Sequence, residues 1–75
     1  MGHYIIHDLW DAEASVWVAT SDDVPGLVTE AATIPELTGK LRVLIPELLE
    51  ENDLPLPLRS EQRFRLIAEC EEAFA

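Results

Sequence analysis

The pattern of apolar and polar positions predicts three short strands in the first part of the chain. Tyr4–Trp10 and Val16–Thr20 are rich in β-branched and aromatic side chains, and a polar break separates them. This arrangement predicts a β-hairpin. The next break contains Pro25–Gly26, a pair suited to a type II turn because glycine adopts a positive φ without strain. We expect a third strand to follow over Leu27–Ala31.

A helix is predicted after the third strand. Thr33 and Glu36 have the spacing of a capping box, in which the threonine hydroxyl accepts a hydrogen bond from a first-turn N–H. Apolar residues then recur at helical spacing at Ile34, Leu37, Leu41, Leu44, Ile45 and Leu48. This stripe must pack on a sheet. Pro46 interrupts the pattern, but the periodicity resumes as far as Glu51, so we expect a kinked helix.

The end of the chain is compatible with either a strand or a helix. Residues 54–58 alternate leucine and proline, which favours an extended connector. In residues 62–70, apolar side chains then occupy every second position, and this alternation predicts a fourth strand. Its apolar side would carry Phe64, Leu66, Ala68 and Cys70, with the cysteine as a small core residue. A short helix over residues 67–74 competes with this strand, because the segment also contains good helix formers.

These elements predict a single α+β domain over residues 1–75, in the order β-β-β-α-β. We expect an antiparallel sheet with the helix on one face and the last strand at an edge. The far face would then be open. Trp10 and Trp17 stand on neighbouring strands, where at least one could point to that face and mark an interface. Packing into the core is at least as common for either tryptophan.

Composition changes this picture in two ways. Hydrophobic residues make up 48% of the 75 residues, too many for a disordered chain, yet so small a core would gain from self-association. The one cysteine cannot form an intrachain disulfide, and no apolar run approaches the length needed to span a bilayer. We therefore expect a cytoplasmic protein without a membrane partner.

Charge limits the classes of partner. Fifteen acidic residues oppose five basic ones, giving a formal net charge of −10. Nucleic-acid affinity comes largely from cations that neutralise phosphates, so direct DNA or RNA binding is not expected. The negative electrostatic field of the chain would attract a basic protein, although a role in solubility explains an acidic composition equally well.

The sequence contains no recognisable catalytic, cofactor or metal motif. His3 and His7 are four residues apart, which on a strand spans roughly 13 Å, too far for two ligands of one metal. Asp22 and Asp23 lack the alternating ligands of a calcium loop, so they predict an ordinary turn. No two of the fifteen acids are singled out as a catalytic pair, and Cys70 has no histidine motif beside it. We predict no enzymatic activity.

One stretch of the chain resembles the HicB-like antitoxin domain. The resemblance covers about Ile5 to Glu51 and includes the aspartate-containing hairpin, the turn Asp23-Val24-Pro25-Gly26 and the helix-capping Thr33. It implies a β-β-β-α-β fold that is partly like a double-stranded-RNA-binding domain but has no RNA-binding role. It also implies a dimer that neutralises a small basic toxin ribonuclease. The sequence is most similar to a short branch of the family without assigned activity.

Relatives in that family commonly carry a C-terminal DNA-binding segment, for which this chain ends too soon, so DNA autoregulation is not expected. The predicted partner contacts are Trp10, Trp17, Asp22, Asp23 and Glu30. An alternative is a self-associating structural or scaffold domain without a toxin. A third hypothesis, an enzyme of unknown type, would need a concave pocket holding a carboxylate with a strongly raised pKa.

Overall fold

The computed structural model of the chain describes residues 3–57 and 62–70, which form a four-stranded sheet with one helix on it. The elements are β1 (His3–Asp11), β2 (Val16–Thr20), β3 (Val28–Ala31), α1 (Ile34–Glu51) and β4 (Arg63–Glu69). The predicted α+β class and element order are confirmed. No helix among the described residues is long and apolar enough to cross a membrane.

Local turn chemistry explains the first two connections. In the β1–β2 loop, the Asp11 Oδ1 accepts hydrogen bonds from the backbone N–H groups of Glu13 at 3.1 Å and Ala14 at 3.3 Å. In the second connection, the Leu27 N–H donates to the Val24 carbonyl oxygen at 3.2 Å, and Gly26 has a φ of 80°. A positive φ at the third residue is the signature of the predicted type II turn.

The sheet has the strand order β3-β2-β1-β4, in which β1–β2 and β2–β3 are antiparallel. The expectation of an entirely antiparallel sheet is wrong at β4, which pairs with β1 in parallel. The reason is that α1 returns along the sheet after β3, so the chain re-enters beside the start of β1. The Asn52 side chain shows this return, because its Nδ2 donates to the Pro25 carbonyl oxygen at 3.4 Å.

The helix begins where the capping signal predicts. The Thr33 Oγ1 accepts a hydrogen bond from the Glu36 N–H at 3.2 Å, and the helix continues through Pro46 to Glu51. Its buried residues are Leu37, Leu41, Ile45 and Leu49. Ile34, Leu44 and Leu48 are half-buried against the same core. The predicted apolar stripe is thus confirmed, with Leu49 as an additional core residue.

The core lies between α1 and one face of the sheet. The sheet contributes Ile6, Ala19 and Ala31, and the turn before β3 adds Val24 and Leu27. Phe64 and Leu66 of β4 are half-buried at its margin.

Residues 63–69 form a strand, so the competing helix is excluded over residues 67–69, and residues 71–74 of that alternative lie outside the described part. Cys70 is exposed, which corrects its predicted place in the core. The ladder between β1 and β4 ends at Leu9 and Glu69, so Cys70 lies beyond the paired part of the sheet.

Candidate protein-binding surface

The face of the sheet opposite α1 carries an apolar band that no other described element covers. Side chains alternate between the two faces of a strand, and the inward residues identify which set points away from the helix. The apolar members of that outward set are Ile5, Leu9, Val16, Val18, Val28 and Ile67. This surface is called the open face below.

Three side chains of the open face are strongly exposed: Leu9 is 55%, Val28 71% and Ile67 38% accessible. The register connects them through Val18 and Leu9, although the exposed His7 and Thr20 lie between Val28 and Ile67 on the same face. Val18 on β2 lies directly opposite Leu9 on β1, and Val28 on β3 and Ile67 on β4 lie diagonally beyond this pair. A contiguous exposed apolar patch is typical of an interaction surface, whereas scattered single residues are not.

Charged residues lie at the two ends of this band. Arg63 and Arg65 are at the beginning of β4, and Glu69 is at its end. Glu30 lies on the open face directly opposite Val18, at the same end as Glu69. The register thus places Glu30 and Glu69 on the two outer strands, flanking Val18 and Leu9, whereas Arg63 and Arg65 lie on β4 toward the other end of the face.

The five predicted contact residues are divided between different parts of the molecule. Glu30 is on the open face, and Asp22 is exposed in the loop that follows β2. Asp23 is in the same loop, but its Oδ2 accepts a hydrogen bond from the Ile5 N–H at 2.7 Å, while the Ser21 Oγ donates to the Ile5 carbonyl oxygen at 2.6 Å. These two side chains continue the pairing of β1 beyond the end of β2.

Of the two alternatives left open for the tryptophans, the structure has the inward one, because neither ring points to the open face. Trp10 lies opposite Trp17, with their ring centroids 5.3 Å apart and the rings inclined at 59°. Both share the face of the buried Ile6 and Ala19, and Trp17 packs against the core. The aromatic pair is therefore on the α1 side of the sheet, whereas Glu30 is on the other face.

Asp8 is a buried acid that the sequence interpretation missed. Its side chain is fully buried between Ala19 and Ala68 on the neighbouring strands, facing α1. Neither carboxylate oxygen has a hydrogen-bond partner among the described residues. Burial raises the pKa of the Asp8 carboxyl, and the charge of neighbouring His7 opposes that rise. The available signal was its position two residues after Ile6, in the inward phase of β1.

Asp8 does not have the surroundings of a catalytic acid or a metal ligand. It lines neither of the two cavities beside β4. Within residues 3–57 and 62–70, no group of three or more histidine, cysteine or acidic side chains is close enough to hold a metal ion. The absence of catalysis itself stays a prediction.

The fold and the open face define a small α+β domain with an exposed apolar sheet surface. The chain belongs to the family described as a domain of unknown function (DUF1902), which matches residues 3–75. It is also similar to the crystal structure of the hypothetical protein TTHA1013 from the extremely thermophilic bacterium Thermus thermophilus. That protein is 51% identical, with 97% of each chain covered and a TM-score of 0.73. No curated protein matches the chain.

Proposed function

We propose that this chain is a non-enzymatic, antitoxin-like domain that binds a small basic toxin ribonuclease through the open face. The observation that carries the proposal is the apolar band with Leu9, Val28 and Ile67 exposed. Removing such side chains from water is favourable by about 25 cal/mol per Å² of apolar area, so a matching apolar surface would bind there.

Charge favours a basic partner. The chain has a formal net charge of −10, and Glu30 and Glu69 border the apolar band. Such a field raises the rate at which a cationic protein reaches the surface and disfavours an acidic competitor. A ribonuclease needs a cationic surface to hold RNA phosphates, so an acidic domain that occupies this surface would block the substrate by steric exclusion and by charge.

The toxin identity rests on the resemblance to HicB-like antitoxins. Supporting features are the Asp23–Gly26 turn, the Thr33 cap and the element order. The proposal places the pair in the cytoplasm, where cellular RNA would be the substrate of the toxin. Asp22 and Glu30 remain proposed contacts at the margins of the open face.

Co-expression with a candidate toxin, a small basic protein from an adjacent reading frame, tests the proposal. The wild type should restore growth to cells producing that protein and co-elute with it in size-exclusion chromatography. Val28→Lys places a cation in the apolar band and should abolish both effects. Val43→Lys is the matched control, because Val43 is also exposed, at 59%, but lies on the outer surface of α1.

The antitoxin hypothesis fails if the neighbouring protein is harmless alone and does not co-elute with the wild type. The assignment of the open face fails if Val28→Lys and Val43→Lys protect cells equally well. Thermal unfolding of both variants separates loss of binding from loss of folding.

A second candidate function is self-association as a structural domain, which would also account for the dimer implied by the resemblance. The specific observation is the charge polarity of the open face, with Arg65 and Glu69 on either side of Ile67 on β4. A second copy stacked face to face in the opposite strand direction would place Arg65 of one copy over Glu69 of the other. A two-fold symmetric interface requires this kind of self-complementarity.

Charge reversal distinguishes this candidate from the antitoxin. If the open face is a homodimer interface, Arg65→Glu should yield monomers in light scattering, and the double variant R65E/E69R should restore dimers. Wild-type chains that remain monomeric at high concentration would rule out the structural-domain candidate and leave the open face free for another protein.

A further inference from the structure

A cleft of about 300 Å³ lies between the second half of α1 and the start of β4. Its inner wall is apolar, because Leu41, Ile45 and Leu49 of the helix face Tyr4 and Phe64 of the sheet. The connector closes another side through Leu56 and Pro57. Gln62, the residue before β4, holds the connector in place, because its Nε2 donates a hydrogen bond to the Pro57 carbonyl oxygen at 2.9 Å. The cleft is on the α1 side of the sheet and reaches the outer edge of β4, where Arg63 and Arg65 belong to the open face as well.

The charged side chains that line the cleft are positive, although the molecule has a negative net charge. Arg42 from α1 and Arg63 from β4 line it, and both are exposed at its surface. A shallower cavity continues from the cleft along the outer edge of β4 and adds Arg65. Three of the five basic residues in the whole chain thus line one connected depression. None of its described lining residues is acidic, although the chain has fifteen acidic residues.

We infer that this cleft binds a small amphipathic carboxylate, a molecule with an apolar chain and one terminal carboxylate. The apolar chain would lie against Leu41, Ile45 and Phe64, where its burial is favourable. The carboxylate would lie between the guanidinium groups of Arg42 and Arg63, because arginine forms strong, paired hydrogen bonds to carboxylates. This inference uses neither the apolar band of the open face nor a protein partner, so failure of the proposed function would leave it standing.

Size and charge together select this ligand class. Small-molecule sites have volumes of roughly 300–1,000 Å³, so a cleft of about 300 Å³ suits a small ligand better than a folded partner. An uncharged hydrocarbon would leave the arginines unused. A cationic amphiphile would be attracted by the overall net charge of −10 but repelled by Arg42 and Arg63.

Calorimetric titration with decanoate, below its micelle concentration, tests the inference without changing the protein. Decanoate should bind at one site per chain, and decanol, which has the same hydrocarbon chain, should bind at least tenfold more weakly. Decyltrimethylammonium should not compete for that site. Equal affinity for decanoate and decyltrimethylammonium would overturn the inference, because the arginines would then confer no selectivity.

Arginine variants test the position of the carboxylate. Arg42→Gln and Arg63→Gln should each weaken decanoate binding about tenfold, the effect expected from losing a charge-assisted hydrogen bond. Lys40→Gln is the matched control, since it removes the same charge from α1. Lys40 lies at the opposite edge of the sheet, where its Nζ donates to the Glu30 carbonyl oxygen at 2.6 Å. The affinity of this control variant for decanoate should equal that of the wild type.

Two results would overturn the assignment of the cleft. One is equal weakening by Lys40→Gln and the two arginine variants, which would indicate a general charge effect. The other is failure of decanoate to bind while a short peptide with an apolar C-terminus binds with the same arginine dependence. Unchanged thermal unfolding of each variant ensures that a loss of affinity reports the site and not the fold.

Discussion

At the scale of single residues, the buried Asp8 carries the clearest physical cost. Moving an unpaired, ionised carboxylate out of water costs free energy. Burial therefore favours the protonated form and raises the pKa of the Asp8 carboxyl. A group with a raised pKa in the folded state holds its proton there more tightly than in the unfolded state. Its contribution to stability is therefore fully present below the ordinary aspartate pKa of about 3.9 and is lost as pH rises through the higher folded value.

Replacing Asp8 by asparagine should remove this pH dependence. We expect Asp8→Asn to gain about 1 kcal/mol of stability relative to the wild type at pH 8, or roughly 4–8 °C in Tm, and to lose that advantage near pH 4. Urea unfolding at both pH values measures the difference. Asp22→Asn is the control, because it removes the same charge from an exposed position. A gain that is the same at pH 4 and pH 8 would contradict the account of Asp8.

Asp23 and Asp22 are neighbours with different structural roles. Because the Asp23 carboxylate accepts the Ile5 N–H at 2.7 Å, Asp23→Ala should destabilise the fold by roughly 1–3 kcal/mol. Asp22→Ala should change stability by less than about 0.5 kcal/mol, as is usual at an exposed position. Denaturant unfolding of the two variants provides the measurement. Equal effects would show that the Asp23–Ile5 bond contributes nothing.

At the scale of elements, the helix is held by its buried face. Leu49 is 2% exposed, so Leu49→Ala should cost roughly 2–5 kcal/mol through lost burial and the cavity left behind. Val43→Ala on the exposed surface of the same helix should change stability by less than about 0.5 kcal/mol. Thermal unfolding of both variants tests this contrast. A small loss for Leu49→Ala would mean that the last turn of α1 packs only loosely.

Local signals predicted most of the elements. The helix cap at Thr33, the turn at Gly26 and the strand around Phe64 could be predicted from the sequence, because each depends on residues close by in the chain. The direction of β4 depends on the return path of α1, which local patterns do not encode. The position of Cys70 depends on where the β1–β4 ladder ends, and this is likewise a property of the assembled sheet.

The candidate site was predictable only in part, for the same reason. Glu30 was identified by its charge and position, and the structure places it on the open face. Which face of the sheet Trp10 and Trp17 occupy depends on which side of β1 and β2 the helix packs against. The alternation of side chains along a strand does not determine that side. Arg42 and Arg63 are 21 positions apart in the sequence, so only the packing of α1 against β4 brings them to one cleft.

At the scale of the whole molecule, the surface divides into regions of different chemistry. The open face carries an apolar band flanked by Glu30 and Glu69. The cleft between α1 and β4 is lined by arginines and by no acids among the described residues. The remaining surface is strongly acidic, consistent with a net charge of −10. A protein partner on the apolar band and a small carboxylate in the cleft would thus bind to different faces of one sheet, which meet at Arg63 and Arg65 on the outer edge of β4.

The central claim, that a protein partner covers the open face, is tested most directly by methyl NMR. Isotope-labelled chain would be titrated with the candidate toxin, a small basic protein from an adjacent reading frame. We predict that the methyl signals of Leu9, Val28 and Ile67 shift or broaden, whereas those of Val43 on the outer surface of α1 stay unchanged. Shifts confined to Val43 or other residues of α1, with Leu9, Val28 and Ile67 unaffected, would contradict the claim.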